Sequence, residues 1–147
     1  MEEEFHNHMR IPWHDYTRKS IGRPITEASL SEKASIIGRT GIMLLSCGTG
    51  AWRVRSSMNT LARELGITCT ADIGLLSIEY TCIDGGNCYT ESLCLFNTGV
   101  NTSKLYRMEL FVNKFSKNCK KMSGDELHTL LDQIHEIHGF YSPPFLG

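Results

Sequence analysis

The stretch Leu75-Leu76-Ser77-Ile78-Glu79-Tyr80-Thr81-Cys82-Ile83-Asp84-Gly85-Gly86-Asn87-Cys88-Tyr89-Thr90-Glu91-Ser92-Leu93-Cys94-Leu95-Phe96 decides the architecture. Two runs rich in β-branched and aromatic residues flank Asp84-Gly85-Gly86-Asn87, a turn sequence suited to a tight hairpin. Pairing Ile83 with Cys88 sets the register. Leu76 then faces Leu95, Ile78 faces Leu93, Tyr80 faces Glu91 and Cys82 faces Tyr89. The opposite face pairs Leu75 with Phe96, Ser77 with Cys94, Glu79 with Ser92 and Thr81 with Thr90. One face is largely apolar and the other is rich in hydroxyls around Glu79, as expected of a sheet covered by helices on one side.

Just before this hairpin, Ile67, Cys69, Ala71 and Ile73 alternate with Thr68, Thr70 and Asp72, which predicts a third strand. Further out, the period changes to that of helices. Ser29-Leu30-Ser31-Glu32 fits a capping box, and Ala34, Ile37, Gly41, Leu44 and Leu45 then share a helical face. Gly38 and Gly41 weaken that helix, so a close approach of another backbone is expected there. Gly48-Thr49-Gly50 stops it. A second helix, 51–65, carries the stripe Ala51, Val54, Met58, Leu61, Ala62 and Leu65, with Gly66 placed for a left-handed cap. After Thr98-Gly99 a third helix is expected over 102–117, with Leu105, Met108, Val112 and Phe115 on its core side. Ser123-Gly124-Asp125-Glu126 opens a fourth, striped by Leu127, Leu130, Leu131, Ile134 and Ile137 and ended by Gly139. The order is two helices, three strands, two helices. It predicts an α+β fold with a three-stranded, mainly antiparallel sheet and helices on one sheet face. Residues 1–28, lacking clear periodicity, are expected to form an extended arm that packs through Trp13 and Tyr16. The single α+β domain is expected over 29–140, and 141–147 as the start of a truncated linker.

Composition narrows the function classes. The 147 residues include 15 Lys or Arg and 16 Asp or Glu, a net charge of −1 that argues against a nucleic-acid-binding arm or a polybasic membrane anchor. With 41% apolar residues the chain is no disordered segment. No apolar run reaches the roughly 18–20 residues of a membrane span. The acidic start Met1-Glu2-Glu3-Glu4 is unlike the basic beginning of a signal peptide, so a soluble, non-secreted chain is expected. Cys47, Cys69, Cys82, Cys88, Cys94 and Cys119 include no CxxC pair and are read as reduced, small apolar residues.

Four constellations could carry chemistry. The Gly48-Thr49-Gly50 turn leads into a helix bearing Arg53 and Arg55, and free amides beside arginines suit a carboxylate or phosphate; the alternative is an ordinary turn between packed helices. Ser46 and Cys47 invite a nucleophile reading, against that of a buried structural thiol. His128, His135 and His138 share the last helix, where a metal site competes with solvated histidines; the spacing matches no zinc signature, and no metal or cofactor is expected. Glu79 among hydroxyls is either a polar ligand group or a solvent-facing strand residue.

The stretch Gly41-Ile42-Met43-Leu44-Leu45-Ser46-Cys47-Gly48-Thr49-Gly50-Ala51-Trp52-Arg53-Val54 is more specific. With Leu61-Ala62-Arg63-Glu64-Leu65-Gly66-Ile67, Gly99-Val100-Asn101 and Tyr141-Ser142-Pro143, it resembles the N-terminal domain of the threonine/serine exporter family, over roughly residues 33–147. The resemblance implies a domain on the cytoplasmic side of the cell membrane that precedes the membrane helices of a bacterial amino-acid exporter. Its partner would be a membrane region of the same or another polypeptide. A regulatory, assembly or substrate-sensing role follows, with no catalytic residues assigned. Should it bind threonine or serine, Arg53 and the Gly48, Thr49, Gly50 turn would take the carboxylate and Glu79 the ammonium. The alternatives are a hydrolase-like enzyme using Cys47 or Ser46, and an oligomerisation module joining copies of the chain.

Overall fold

The computed structural model describes residues 11–137. Helix α1 spans Leu30–Ser46, α2 Ala51–Glu64, α3 Thr102–Asn113 and α4 Gly124–His135; strands β1, β2 and β3 span Thr68–Ile73, Ser77–Asp84 and Asn87–Cys94. The sheet order is β1-β2-β3 with both pairings antiparallel. This is the α+β architecture anticipated from the periodicities. The hairpin register is also as read, with Ile83 opposite Cys88 and Tyr80 opposite Glu91. Gly85 takes φ +64° in the turn, a conformation glycine adopts without steric cost.

The sheet turns one face inward. Ile78, Tyr80, Cys82, Leu93 and Cys69 are buried, whereas Thr70, Asp72, Glu79, Thr90 and Ser92 on the other face are exposed. Helices α1 and α2 pack on the inner face, and α3 and α4 pack against α1. So α1 lies in the middle of the molecule, and every residue from Glu32 to Leu45 is buried. Both capping boxes form, Ser29 with Glu32 and Ser123 with Glu126. Gly66 closes α2 with φ +75°.

Several expectations need correction. Gly38 and Gly41 admit side chains rather than another backbone. A Cβ on Gly38 would lie 2.2 Å from Tyr80 Oη, and one on Gly41 2.5 Å from Met58 Sδ. Ala51 belongs to no buried stripe; it is exposed at the first turn of α2. Helix α3 stops at Asn113, and a π-helical turn follows over Phe115–Cys119. The arm is not extended where it is described: Trp13–Ser20 and Ile25–Glu27 are 3-10 helices. Trp13, Thr17 and Ile25 are buried, and the Ile25 amide donates to Met122 O at 2.8 Å. Gly124 makes room for this arm, since a Cβ there would lie 2.5 Å from Thr17 Cγ2. His6, His8, His138, the stop at Gly139 and the segment 141–147 lie outside the described residues.

Candidate functional site

A groove of about 490 Å³ lies between α2 and α3. The turn that joins α1 to α2 positions its near end. Gly48 takes φ +90°, and Gly50 serves as N-cap of α2 with no side chain bonded to the first-turn amides. Thr49 and Arg53 line the groove with Trp52, Ser56, Glu109 and Asn113. Arg53 Nη1 donates to Glu109 Oε2 at 3.2 Å, an exposed ion pair across the groove. Thr49 is buried, and its Oγ1 has no hydrogen-bond partner among the described residues. A cation, an anion, an uncapped helix start and a row of hydroxyls suit a small zwitterion or polyol.

Of the residues singled out from sequence, the structure brings Gly48, Thr49, Gly50 and Arg53 together. Glu79 is elsewhere. It stands on the exposed outer face of the sheet, opposite Asp72 and Ser92, with α1 and α2 on the inner face. The carboxylate beside Arg53 is Glu109 of α3. Periodicity had no means to find it, because the two residues are 56 positions apart in the chain.

Cys47 and Ser46 lie in the same turn. Burial pushes the Cys47 thiol up from its ordinary value, although Lys104 and Ser46 act in the opposite direction. This opposes the activation that a nucleophilic cysteine needs. Ser46 Oγ donates to Met43 O at 2.6 Å, as a helical serine often does.

The histidines also need correction, because His128 is not solvated. It is fully buried, and its ring stacks on Trp13 with centroids 5.7 Å apart. Arg39 Nη1 lies 3.1 Å from His128 Nδ1 and donates to His128 O at 3.1 Å. His128 Nε2 lies 2.9 Å from Ser35 Oγ, and Ser35 Oγ donates to Glu32 O at 2.7 Å. A guanidinium only donates, so Nδ1 accepts and Nε2 carries the proton, which it donates to Ser35. A serine nucleophile needs the reverse polarity, with histidine accepting. The Ser35–His128 pair is therefore structural. Burial first, then Arg39 and His14, push His128 down to about 3. Among the described residues no group of three His, Cys, Asp or Glu is placed to hold a metal ion.

Next to it, His14 bridges two carboxylates of α4, Asp125 at 2.6 Å and Asp132 at 2.8 Å. Arg39 Nη2 donates to the other oxygen of Asp132 at 2.5 Å. Burial works against a charge on His14, but its bonds to the carboxylates of Asp125 and Asp132 outweigh it and raise its pKa. His14, Arg39 and Asp132 line a second cavity together with Asp15, His135 and Glu136. The two histidines thus oppose each other. A raised His14 contributes stability that is complete below the unfolded value of 6.5 and is lost as pH rises through its folded value. A depressed His128 loses stability as pH falls from 6.5 toward about 3. The midpoint gap between wild type and His14→Gln should be wider near about pH 5.5 than near about pH 8.5. Thermal melts at the two pH values check this, and an equal gap would show that His14 carries no extra proton in the fold.

A helix-covered antiparallel sheet with a polar groove at a helix start is the class of domain these features define. The family model of the threonine/serine exporters, ThrE, matches residues 35–146. The chain belongs to that family. No curated protein and no solved structure matches it. Among the described residues no helix is long and apolar enough to cross a membrane.

Proposed function

We propose that this chain is the cytoplasmic, substrate-sensing part of a threonine/serine exporter, working with a membrane region of the same or a partner polypeptide. The observation that carries the reading is the groove between α2 and α3, where Arg53 and Glu109 face each other beside hydroxyl groups. A hydroxy-amino acid offers a carboxylate to Arg53 and the α2 amides. Its ammonium goes to Glu109, which takes the role first given to Glu79. Its hydroxyl meets Ser56, Ser57 or Thr60 along the groove wall. Binding requires exchanging the Arg53–Glu109 pair for two pairs with the ligand. The exchange is cheap because Arg53 is mostly in water and Glu109 nearly half so.

Calorimetric titration with L-threonine and L-serine tests this. Arg53→Ala should weaken binding by about tenfold or more, since a charged hydrogen bond contributes about 1.5–3 kcal/mol. Glu109→Gln should weaken it as well, and Glu79→Gln should leave it unchanged. Absence of heat with the wild-type chain would remove the sensing role. Equal affinity for wild type and Arg53→Ala would move the site elsewhere.

A further inference from the structure

Two cysteines lie directly opposite each other on the inner face of the sheet, Cys69 on β1 and Cys82 on β2. Antiparallel pairs alternate between two kinds, and the hydrogen bonds at the ends of the ladders tell which kind this is. Gly74 N donates to Ser77 O at 2.7 Å, so residues 77, 79, 81 and 83 bond toward β1. Leu95 N donates to Leu76 O at 2.8 Å, so residues 78, 80 and 82 bond toward β3. Cys69 and Cys82 therefore form a non-hydrogen-bonded pair. In such pairs the Cα atoms approach to about 4.5 Å and the side chains lie closest. That separation falls within the roughly 4.4–6.8 Å that a disulfide spans.

The two thiols also act on each other: Cys82 lowers the Cys69 thiol from its ordinary value, and Cys69, together with burial, raises that of Cys82. Access is unequal in the same sense. Cys69 is 7% exposed and Cys82 is 0% exposed. The other described cysteines have no such arrangement. Cys88 and Cys94 share the outer face but stand six residues apart on β3, about 20 Å along a strand. Cys47 sits at the turn between α1 and α2.

We propose that Cys69 and Cys82 form a two-electron oxidation site for hydrogen peroxide, with Cys69 attacking and Cys82 resolving. The Cys69 sulfur attacks one peroxide oxygen; an S–O bond forms, the O–O bond breaks, and the leaving hydroxide takes the thiol proton and departs as water. The Cys82 sulfur then attacks the Cys69 sulfenic acid. The S–S bond forms, the S–O bond breaks, and the hydroxyl leaves as a second water with the Cys82 proton. Both thiols are oxidised to one disulfide, and one peroxide is reduced to two waters. The cross-link joins β1 to β2 across the Gly74-Leu75-Leu76 connection. It locks the strand on which α2 packs. The site does not depend on the groove binding an amino acid.

The folded chain is treated with a small excess of hydrogen peroxide, unfolded in the presence of an alkylating reagent, digested, and mapped by mass spectrometry without reduction. The expected product is a Cys69–Cys82 linked peptide, with both residues protected from alkylation and restored by dithiothreitol. Full alkylation of Cys69 and Cys82 while Cys88 is oxidised would overturn the proposal. So would sulfinic acid at Cys69 with no linked peptide. In Cys82→Ala, dimedone should capture a sulfenic acid at Cys69, whereas in Cys69→Ala it should leave Cys82 unlabelled. Should either variant fail to fold, the wild-type peptide map decides alone.

Discussion

Gly38→Ala should destabilise the fold by about 3 kcal/mol, the upper part of the range for forcing atoms into a packed core. For a chain of this size that lowers the thermal midpoint by roughly 6–12 °C. The added Cβ would stand 2.2 Å from Tyr80 Oη and 2.5 Å from its Cζ. Tyr80 has nowhere to go. It is 1% exposed, and its hydroxyl lies 3.0 Å from Ala34 O and 2.9 Å from Glu91 Oε1. Glu91 is held in turn by Tyr16, which donates to its other oxygen at 2.8 Å. Moving the ring breaks these bonds or drives α1 off the sheet. Two other glycines supply the comparison. Gly41→Ala meets the thioether of Met58, an unbranched side chain that can change rotamer, so its cost should be smaller. Gly50→Ala meets nothing within 4 Å and should cost only the poorer N-cap that alanine makes for α2, about 0.5–1 kcal/mol. Thermal or urea melts of the three variants check the order. Equal melting of Gly38→Ala and Gly50→Ala would show that Tyr80 is not seated against α1 as described.

Asp132→Asn should cost about as much, near 3 kcal/mol, the low end of the range for stranding a buried charge. Asp132 itself is half in water, but its partner Arg39 has a side chain only 6% exposed. The substitution leaves the guanidinium in place without a counter-charge. It also removes one of the two carboxylates that hold His14 and, through it, the 3-10 helix Trp13–Ser20. Arg39→Met should be milder, about 1–2 kcal/mol, because what it leaves unpaired is neutral, the His128 Nδ1, while His128 O keeps its bond within α4. A half-exposed Asp132 then keeps water and His14. The double variant should be no less stable than Asp132→Asn alone. A double-mutant cycle by urea unfolding measures the coupling, and additive losses would mean that the pair contributes nothing net.

How far the sequence could be read is clearest at particular residues. The hairpin was legible because strand period, turn chemistry and register all depend on neighbours within about ten residues. Both capping boxes were legible for the same reason: a serine oxygen, a glutamate and two amides lie within four positions. The alternation also placed Glu91 inward and Glu79 outward. Why an inward carboxylate is tolerated was not legible, because Tyr16 lies 75 positions away. The two glycines of α1 announced a close approach. The approaching groups, Tyr80 and Met58, come from other elements.

The candidate site divides in the same way. Local sequence placed Thr49, Gly50 and Arg53 at one helix start, since a glycine turn into an amphipathic helix is a short-range pattern. Glu109 reached Arg53 only when α3 packed beside α2, and Glu79 was left on the far side of the sheet. His128 was read as solvated together with the other histidines of the last helix, and only docking of Trp13 and Arg39 made it a neutral core residue. By itself, then, the sequence determined the four α-helices, the three strands, the two capping boxes and the hairpin register, all carried by contacts between near neighbours in the chain, and through its motifs the family. Tertiary packing alone decided which charges pair, which histidine is neutral and which cysteines face each other. Those depend on desolvation and on distances between segments that covalent connectivity leaves free.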